Sequence, residues 1–231
     1  LPWKQHGKIT LLIQRCNMSG KLIVVEGIEG AGKTTVVERL VSWLREVHGV
    51  EVNNYREPGD TVIGEAVRTL IKHPDSNISV QTQSELLWLS RRCLLEEIIK
   101  PLLAKGTWVV LDRYWLSTIV YQHDYYNTRP LNELIAEILD EYAIPDFLIY
   151  LNVDPHVAKN RCMHGEGRGQ VADKNDDQPI EVFKQWAGRY NATVATYNSL
   201  KPVSAYTLTI DANQSPKDVC DDVIFSVNEL I

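Results

Sequence analysis

The sequence predicts an α/β fold in which a five-stranded parallel sheet is covered by helices on both faces. Two observations carry this prediction. Short apolar runs alternate along the chain with longer stretches of helical periodicity. The first run, residues 22–25, is apolar throughout, as is typical of a strand buried on both faces. Because helices separate successive strands, right-handed crossovers should bring the strands together in parallel.

The remaining elements follow in chain order. A helix over 32–47 comes after the first strand, since Val36, Leu40 and Leu44 lie on one side of it. Further strands are predicted at 50–55, 107–111, 147–151 and 205–210. Helical patterns predict helices at 61–73, 80–104, 114–126, 130–142, 155–163, 179–199 and 216–230.

The 231 residues suffice for one large domain or at most two small ones, and no internal repeat or long linker divides them. We expect a single domain over 18–231, with residues 1–17 as an N-terminal extension outside its core. The alternative for the extension is an added edge strand at 8–14. Residues 164–178 are rich in glycine and charge and lie between two helical segments, so we expect a mobile lid loop there.

Composition narrows the class of partner. With 24 basic and 30 acidic residues the formal net charge is -6, which disfavours a protein that coats long nucleic acid or an anionic membrane. An anionic partner should therefore be small and bound by a local arginine cluster. The apolar runs are far shorter than the roughly 20 residues needed to span a bilayer. The four cysteines lack metal-like or redox-like spacing and are expected to be free thiols of a cytoplasmic protein.

A glycine-rich motif follows the first strand and opens the first helix. Residues 27–34, GIEGAGKT, match G-x-x-x-x-G-K-[ST], the phosphate-binding P-loop. Glycines let consecutive backbone N–H groups point into one concavity, and the helix adds its positive N-terminal end. Lys33 supplies a cation for the β- and γ-phosphates, and the Thr34 hydroxyl can bind Mg²⁺. The motif predicts a three-layer fold of the P-loop NTPase type and an ATP site made of Gly27, Ile28, Glu29, Gly30, Ala31, Gly32, Lys33, Thr34 and Thr35.

A P-loop by itself does not separate a switch, a motor and a kinase. Guanine-specific switches also carry N-K-x-D, and the nearest string here, DKND at 173–176, has a different order. The chain is also short for a P-loop motor. A nucleotide-dependent switch that binds a protein partner stays open as an alternative, although nothing besides the P-loop favours it.

Three further motifs follow in order: YREPGDT at 55–61, ELLWLSRR at 85–92 and DRYWLSTIVYQ at 112–122. With the P-loop, these stretches resemble the bacterial-type thymidylate kinase family, in which the corresponding segments read roughly EGxEGAGKTT, REPGGT, ELLFxAxR and DRYxxSxxAYQ. The resemblance extends through most of 21–230. It implies transfer of the γ-phosphoryl group of ATP to dTMP, with Mg²⁺ as cofactor and a homodimer as the assembly.

Phosphoryl transfer requires cations that are in place before two anions meet, and strand ends can supply them. Arg113, at the carboxyl end of the third strand, is well placed to clamp an acceptor monophosphate. Asp112 beside it is the natural carboxylate for Mg²⁺. Arg56 and Arg68 are further cation candidates, with a solvated helix position as the alternative for Arg68.

The resemblance also implies a base and sugar site. In the family an aromatic ring and an arginine four residues later bind the base, and Trp88 and Arg92 have this spacing. Arg91 is a rival for the arginine, because the usual distance to the Lys100-Pro101 junction is one residue longer than it is from Arg92. The complete acceptor site is expected to comprise Glu29, Arg56, Glu57, Trp88, Arg92, Arg113, Ser117, Thr118, Tyr121 and Gln122.

Particular roles are implied for three of these regions. Tyr121 would pack where a ribose 2′-OH projects and so favour deoxyribose, and Glu29 would meet the acceptor 3′-OH or the metal. Bacterial-type members carry a catalytic arginine in the lid when the P-loop has none, as here. Arg168 is the first choice for it, ahead of Arg161 and Lys174, and completes a catalytic set with Lys33 and Arg113.

Two alternative enzymes stay open. A deoxynucleoside kinase phosphorylates a 5′-OH and typically carries E-R-S where this chain has Asp112, Arg113 and Tyr114. A nucleoside monophosphate kinase with another acceptor is the second alternative, because Asp60 and Val120 depart from the family pattern beside the acceptor.

Overall fold

The computed structural model describes residues 20–73, 75–164, 175 and 177–231. Its strands are β1 (Leu22–Glu26), β2 (Val52–Arg56), β3 (Trp108–Asp112), β4 (Phe147–Asn152) and β5 (Tyr206–Asp211). All pair in parallel, in the order β2-β3-β1-β4-β5. The predicted fold class is therefore confirmed. The expected extension at 1–17 and most of the expected lid at 164–178 lie outside the described residues.

The helices surround the sheet and connect its strands. They are α1 (Lys33–His48), α2 (Val62–Lys72), α3 (Val80–Leu94), α4 (Lys100–Ala104), α5 (Trp115–Tyr121), α6 (His123–Tyr126), α7 (Leu131–Glu141), α8 (Pro155–His164), α9 (Ile180–Leu200) and α10 (Pro216–Asn228). A π-helical segment, Leu95–Ile99, joins α3 to α4. Among the helices that the structure describes, none is long and apolar enough to cross a membrane.

Two predicted helices differ in detail from the observed ones. The segment expected at 80–104 is helical throughout but widens into the π-helical turn before α4. The segment expected at 114–126 is interrupted at Gln122, whose φ of -99° and ψ of 26° end α5. Tyr114 has extended backbone angles and precedes the helix instead of starting it.

The buried core aligns the carboxyl ends of three strands, which carry predicted site residues, at one edge of the sheet. Every residue of β1 is buried, and the apolar side of α1, including Leu40 and Leu44, packs into the same core. In the parallel register Val25 lies beside Asp112, and Asp112 lies beside Arg56. The carboxyl ends of β1, β2 and β3 therefore meet at one edge, which is where ligands of such sheets bind.

Candidate active site

A cleft of about 1050 Å³ lies at this edge of the sheet. Its walls come from the P-loop, the turn after β2, the helices α2 and α3, and the segment from Asp112 into α5. Lys33 and Arg113, which the sequence assigned to two different anions, both line it. The two predicted phosphate sites are thus parts of one cavity.

The P-loop has the backbone that its glycines permit. Gly30 and Gly32 have φ of 78° and 89°, in the left-handed region that side chains rarely adopt. A Cβ on Gly30 would overlap the carbonyl oxygen of Ala158 in α8. The first turn of α1 contains no acidic residue, and none of the described side chains caps it, so its N–H groups face the cleft as an anion site. Of the residues predicted to form the ATP site, Gly27 and Ile28 do not line the cleft. The others do: Glu29, Gly30, Ala31, Gly32, Lys33, Thr34 and Thr35.

Lys33 is held inside the loop that it serves. Its Nζ donates to the carbonyl oxygens of Gly27 at 3.0 Å and Ile28 at 2.9 Å. Burial, with a smaller contribution from the charge of Arg113, lowers the pKa of Lys33 to about 8. The ammonium is therefore directed toward the place where P-loop proteins hold the β- and γ-phosphates.

Thr34 and Asp112, the two predicted Mg²⁺ ligands, are hydrogen-bonded to each other. The Thr34 hydroxyl donates to Asp112 Oδ2 at 2.7 Å, and both residues line the cleft. Within the described residues no group of three or more His, Cys, Asp or Glu side chains could hold a metal. A set of one hydroxyl and one carboxylate fits Mg²⁺, which keeps several waters and takes its other ligands from substrate phosphates.

Both the backbone and the side chain of Arg113 are fixed by polar contacts. Its φ of 75° is left-handed, and its N–H donates to the carbonyl oxygen of Val25 at 3.0 Å. The guanidinium pairs with Glu29 through Nη2, donates to Ser117 Oγ at 3.2 Å through Nη1, and lies 5.1 Å from the ring centre of Tyr121. Arg113 thus lines the cleft beside the P-loop, to which Glu29 links it.

Glu57 and Arg91 form a buried ion pair at the other end of the acceptor side. Arg91 is 2% exposed, donates from Nε to Glu57 Oε2 at 2.7 Å and from Nη2 to Thr118 Oγ1 at 3.0 Å. Burial raises the pKa of Glu57 to about 7, and the charge of Arg91 opposes this shift. Within the described part of the chain, Arg91 Nη1, Glu57 Oε1 and Gln122 Oε1 have no hydrogen-bond partner. All three residues line the cleft.

Trp88 and Arg92, the residues predicted to bind the base, lie outside the lining of the cleft. The Arg92 side chain is 55% exposed and pairs with Glu141 at 2.8 Å. The Trp88 indole N–H donates to Tyr126 at 2.6 Å, and its ring lies 4.9 Å from that of Tyr142. Neither residue lines the cleft. Successive helical residues point about 100° apart, so a shift of one position in α3 turns both side chains away.

Leu87 and Arg91 occupy the places expected for Trp88 and Arg92. They have the same spacing of four residues, and both line the cleft. The spacing of Arg91 from the Lys100-Pro101 junction was the signal in the sequence that favoured this register. The apolar side chain one turn before Arg91 is consequently the aliphatic Leu87, where the prediction had an aromatic ring.

The turn after β2 brings further cations to the rim. Arg56 donates to Glu65 at 3.3 Å, and Arg68 donates to the carbonyl oxygen of Pro58 at 3.1 Å. Asp60 has a φ of 58° and accepts from the N–H of Arg56 at 2.6 Å, so it stabilises the turn from within. Arg56, Glu57 and Arg68 all line the cleft.

The other predicted residues divide into two groups. Ser117, Thr118, Tyr121 and Gln122 line the cleft, and the ring of Tyr121 packs 4.9 Å from that of Trp186. Arg161 also lines it and donates to the carbonyl oxygens of Ala212 and Gln214 at 2.7 and 2.9 Å. Arg168 and Lys174 lie outside the described residues.

Sequence comparisons identify relatives along nearly the whole chain. The family model described as "Thymidylate kinase" matches residues 25–223. A thymidylate kinase of Legionella pneumophila (strain Paris) is 36% identical over 219 residues, which cover 93% of this chain and 97% of the relative. Thymidylate kinases of Vibrio vulnificus (strain YJ016) and Pseudoalteromonas translucida (strain TAC 125) are 34% and 35% identical, over 90% and 89% of this chain and 94% of each relative.

Proposed function

The chain belongs to the thymidylate kinase family, and we infer that its cleft transfers the γ-phosphoryl group of ATP to dTMP, giving ADP and dTDP. It is accordingly a phosphotransferase of the nucleoside monophosphate kinase class. One observation carries the inference: the P-loop with Lys33 and the guanidinium of Arg113 face one cavity. Two phosphate-binding groups in one cavity are what transfer between two nucleotides requires.

We propose that ATP occupies the P-loop side. Its β- and γ-phosphates would accept hydrogen bonds from the backbone of 29–34 and from the Lys33 ammonium, which would exchange its present carbonyl partners for them. Thr34 and Asp112 would hold Mg²⁺. Bound there, the ion would neutralise phosphate charge and orient the β- and γ-phosphates.

Arg113 is the proposed clamp of the acceptor phosphate. An oxygen of the dTMP 5′-phosphate forms the new bond to the γ-phosphorus, and the bond to the bridging oxygen of ADP breaks. Both reactants are anions, so a guanidinium already fixed by Glu29 and Ser117 lowers their repulsion without reorganisation. Arg56 at the rim and Arg168 in the predicted lid are proposed as further cations for the same charge.

The base site is proposed to lie between α3 and α5. Thymine has two carbonyl oxygens and one N–H, which match the donor Arg91 Nη1 and an acceptor such as Gln122 Oε1. Leu87, one turn from Arg91, would meet the face of the base, and Tyr121 would stand beside C2′ of the sugar. Arg91 thus replaces Arg92 as the proposed base reader.

The reaction is tested by incubating the purified protein with ATP and Mg²⁺ together with either dTMP or thymidine. We expect ADP and dTDP from dTMP and no product from thymidine, as measured by chromatography of the nucleotides. Phosphorylation of thymidine would establish the deoxynucleoside kinase instead. ATP hydrolysis without an acceptor product would favour the switch.

Variants of two arginines distinguish the proposed role of Arg113 as a clamp from a general effect of removing one positive charge. Arg113→Ala should lower turnover by roughly 100- to 1000-fold, the scale of losing one donor to transition-state charge. Arg92→Ala removes an exposed arginine outside the cleft and should stay within about threefold of the unmodified protein, since surface changes have small effects. Equal turnover in the two variants would contradict the role given to Arg113.

The wider assignments are also proposals. The net charge of -6 supports a protein that binds neither polymeric nucleic acid nor an anionic membrane. Family membership supports a homodimer, which light scattering on the purified chain would test. A cytoplasmic location agrees with the three described cysteines, none of which forms a disulfide within the described residues. Residues 1–17 are proposed to lie outside the catalytic domain, so their deletion should leave turnover unchanged.

A further inference from the structure

Glu26, the last residue of β1, is a buried carboxylate that does not line the cleft. A buried charge is costly unless hydrogen bonds compensate it, and here four donors do so. Oε1 accepts from the backbone N–H groups of Tyr114 at 2.7 Å and Ser117 at 3.2 Å. Oε2 accepts from the hydroxyls of Ser117 at 2.7 Å and Tyr190 at 2.9 Å.

This set of partners matches an ionised carboxylate. Two carboxylate oxygens have about four lone-pair sites, and the two backbone N–H groups and two hydroxyls can fill them. Burial raises the pKa of Glu26, and the hydrogen bond from Ser117 and the charge of Arg113 oppose this shift. The hydrogen bonds and the charge of Arg113 thus favour the ionised form, against the cost of burial.

Two routes lead from Glu26 to the clamping arginine. Ser117 Oγ donates to Glu26 and accepts from Arg113 Nη1, which makes a chain of guanidinium, hydroxyl and carboxylate. Glu26 Oε1 also holds the N–H of Tyr114, the residue that follows Arg113 and precedes α5. The side chain and the backbone of Arg113 are thus both tied to one carboxylate.

We propose that Glu26 is a positioning residue for phosphoryl transfer, which holds the Arg113 guanidinium in its clamping orientation through Ser117 and the backbone of Tyr114. The proposal rests on the proposed function, because it requires that Arg113 clamps the acceptor phosphate. Glu26 itself touches no substrate. A carboxylate that only capped the start of α5 would matter for stability and not for turnover.

The variant Glu26→Gln tests this distinction. The amide has the shape of the carboxylate, and the hydroxyls of Ser117 and Tyr190 can reverse to accept from its NH₂ group, so the packing is retained while the charge is lost. We expect kcat with dTMP to fall roughly 10- to 100-fold, the scale of one charge-assisted hydrogen bond, with an unchanged KM for ATP. Unchanged kcat, with or without a lower melting temperature, overturns the proposal.

A double-mutant cycle with Ser117→Ala tests the route. Ser117→Ala removes the hydroxyl link and leaves the backbone contact of Glu26 with Tyr114 intact. If both residues act on Arg113 through this link, the fold-loss of kcat in the double variant will be smaller than the product of the fold-losses in the two single variants. Fully multiplicative effects would overturn the linkage. Should Glu26→Gln fail to fold, an unchanged kcat in Ser117→Ala alone overturns it as well.

A buried polar residue nearby supplies the control. Thr193 is 1% exposed in α9, one turn from Tyr190, and its hydroxyl donates to the carbonyl oxygen of Arg189 at 2.8 Å. Thr193→Val should leave kcat within about twofold, because its effect is confined to stability. Absence of dTMP phosphorylation by the unmodified protein would instead contradict the proposed function, so the two failures are distinguishable.

Discussion

The present environment of Lys33 differs from the one that its proposed role requires. Its ammonium is buried and is held by two main-chain carbonyl oxygens, which carry only partial charge. Burial, with a smaller contribution from the charge of Arg113, disfavours the charged form and lowers the pKa of Lys33 to about 8. Phosphate binding reverses this balance, because it places full negative charge beside Nζ.

ATP binding should therefore take up protons in a pH-dependent way. Near pH 7 Lys33 is already mostly charged and uptake should be small, whereas at about pH 8.5 most molecules must gain a proton as the pKa rises on binding. Calorimetric titration with MgATP in buffers of different ionisation enthalpy measures this uptake. Heats that are independent of the buffer at about pH 8.5 would contradict the assignment.

Arg91 and Arg92 illustrate what residue patterns can and cannot predict. Both lie on one predicted helix, and each has an apolar partner four residues earlier, Leu87 and Trp88 respectively. Which pair faces the cleft depends on how α3 is rotated about its axis against α5 and the β2 turn, and that is set by tertiary packing. The long spacing to the Lys100-Pro101 junction was informative, and periodicity alone was not.

At the scale of elements, the P-loop depends on its close contact with α8. Gly30 approaches the carbonyl oxygen of Ala158 so closely that no Cβ fits, while Gly32 has open space within 4 Å. Both residues have positive φ. Substitutions at these two glycines therefore distinguish the free-energy cost of the backbone conformation from the cost of packing against α8.

Gly30→Ala should destabilise the protein more than Gly32→Ala. The strained φ alone costs about 1–2 kcal/mol in either variant, and Gly30→Ala adds the displacement of a helix carbonyl, which we expect to bring the loss to about 3 kcal/mol or more. Urea unfolding of the two variants beside the unmodified protein measures the difference. Equal losses would mean that the loop moves freely away from α8.

Element boundaries followed from the sequence where one local feature decides them. The apolar runs of β1, β3 and β4 predict buried strands directly, since the central residues of each strand are apolar and buried. The interruption between α5 and α6 at Gln122 has no comparable signal, because no glycine or proline marks it. The hydrogen bond between Glu26 and the first turn of α5 has no signal in the sequence either, because Glu26 and its partner Ser117 lie 91 residues apart.

At the scale of the whole molecule, the sheet is both the core and the frame of the cleft. β4 joins β1 to β5, and its residues Phe147 to Leu151 are all buried. The fold class was predictable because this burial leaves no polar face to obscure the pattern. The location of the cleft was predictable because the motifs stand at strand ends.

Stability should accordingly depend on the interior of the sheet and little on its surroundings. Ile149→Ala, at a position with 0% exposure, should lower the free energy of unfolding by about 2–5 kcal/mol. Val203→Ala, at 98% exposure, should change it by less than about 0.5 kcal/mol. Denaturant titration provides both values, and a similar loss in the two would contradict the description of the core.

The strand order has a consequence for how the chain is made. The first three strands to leave the ribosome, β1, β2 and β3, occupy adjacent places in the sheet, so they can pair before the rest of the polypeptide has been translated. β4 and then β5 are added outward from the open edge of β1 in the order of synthesis. The nascent chain can thus complete the acceptor half first, with β3 taking its place between β1 and β2, and then extend the sheet outward from β1.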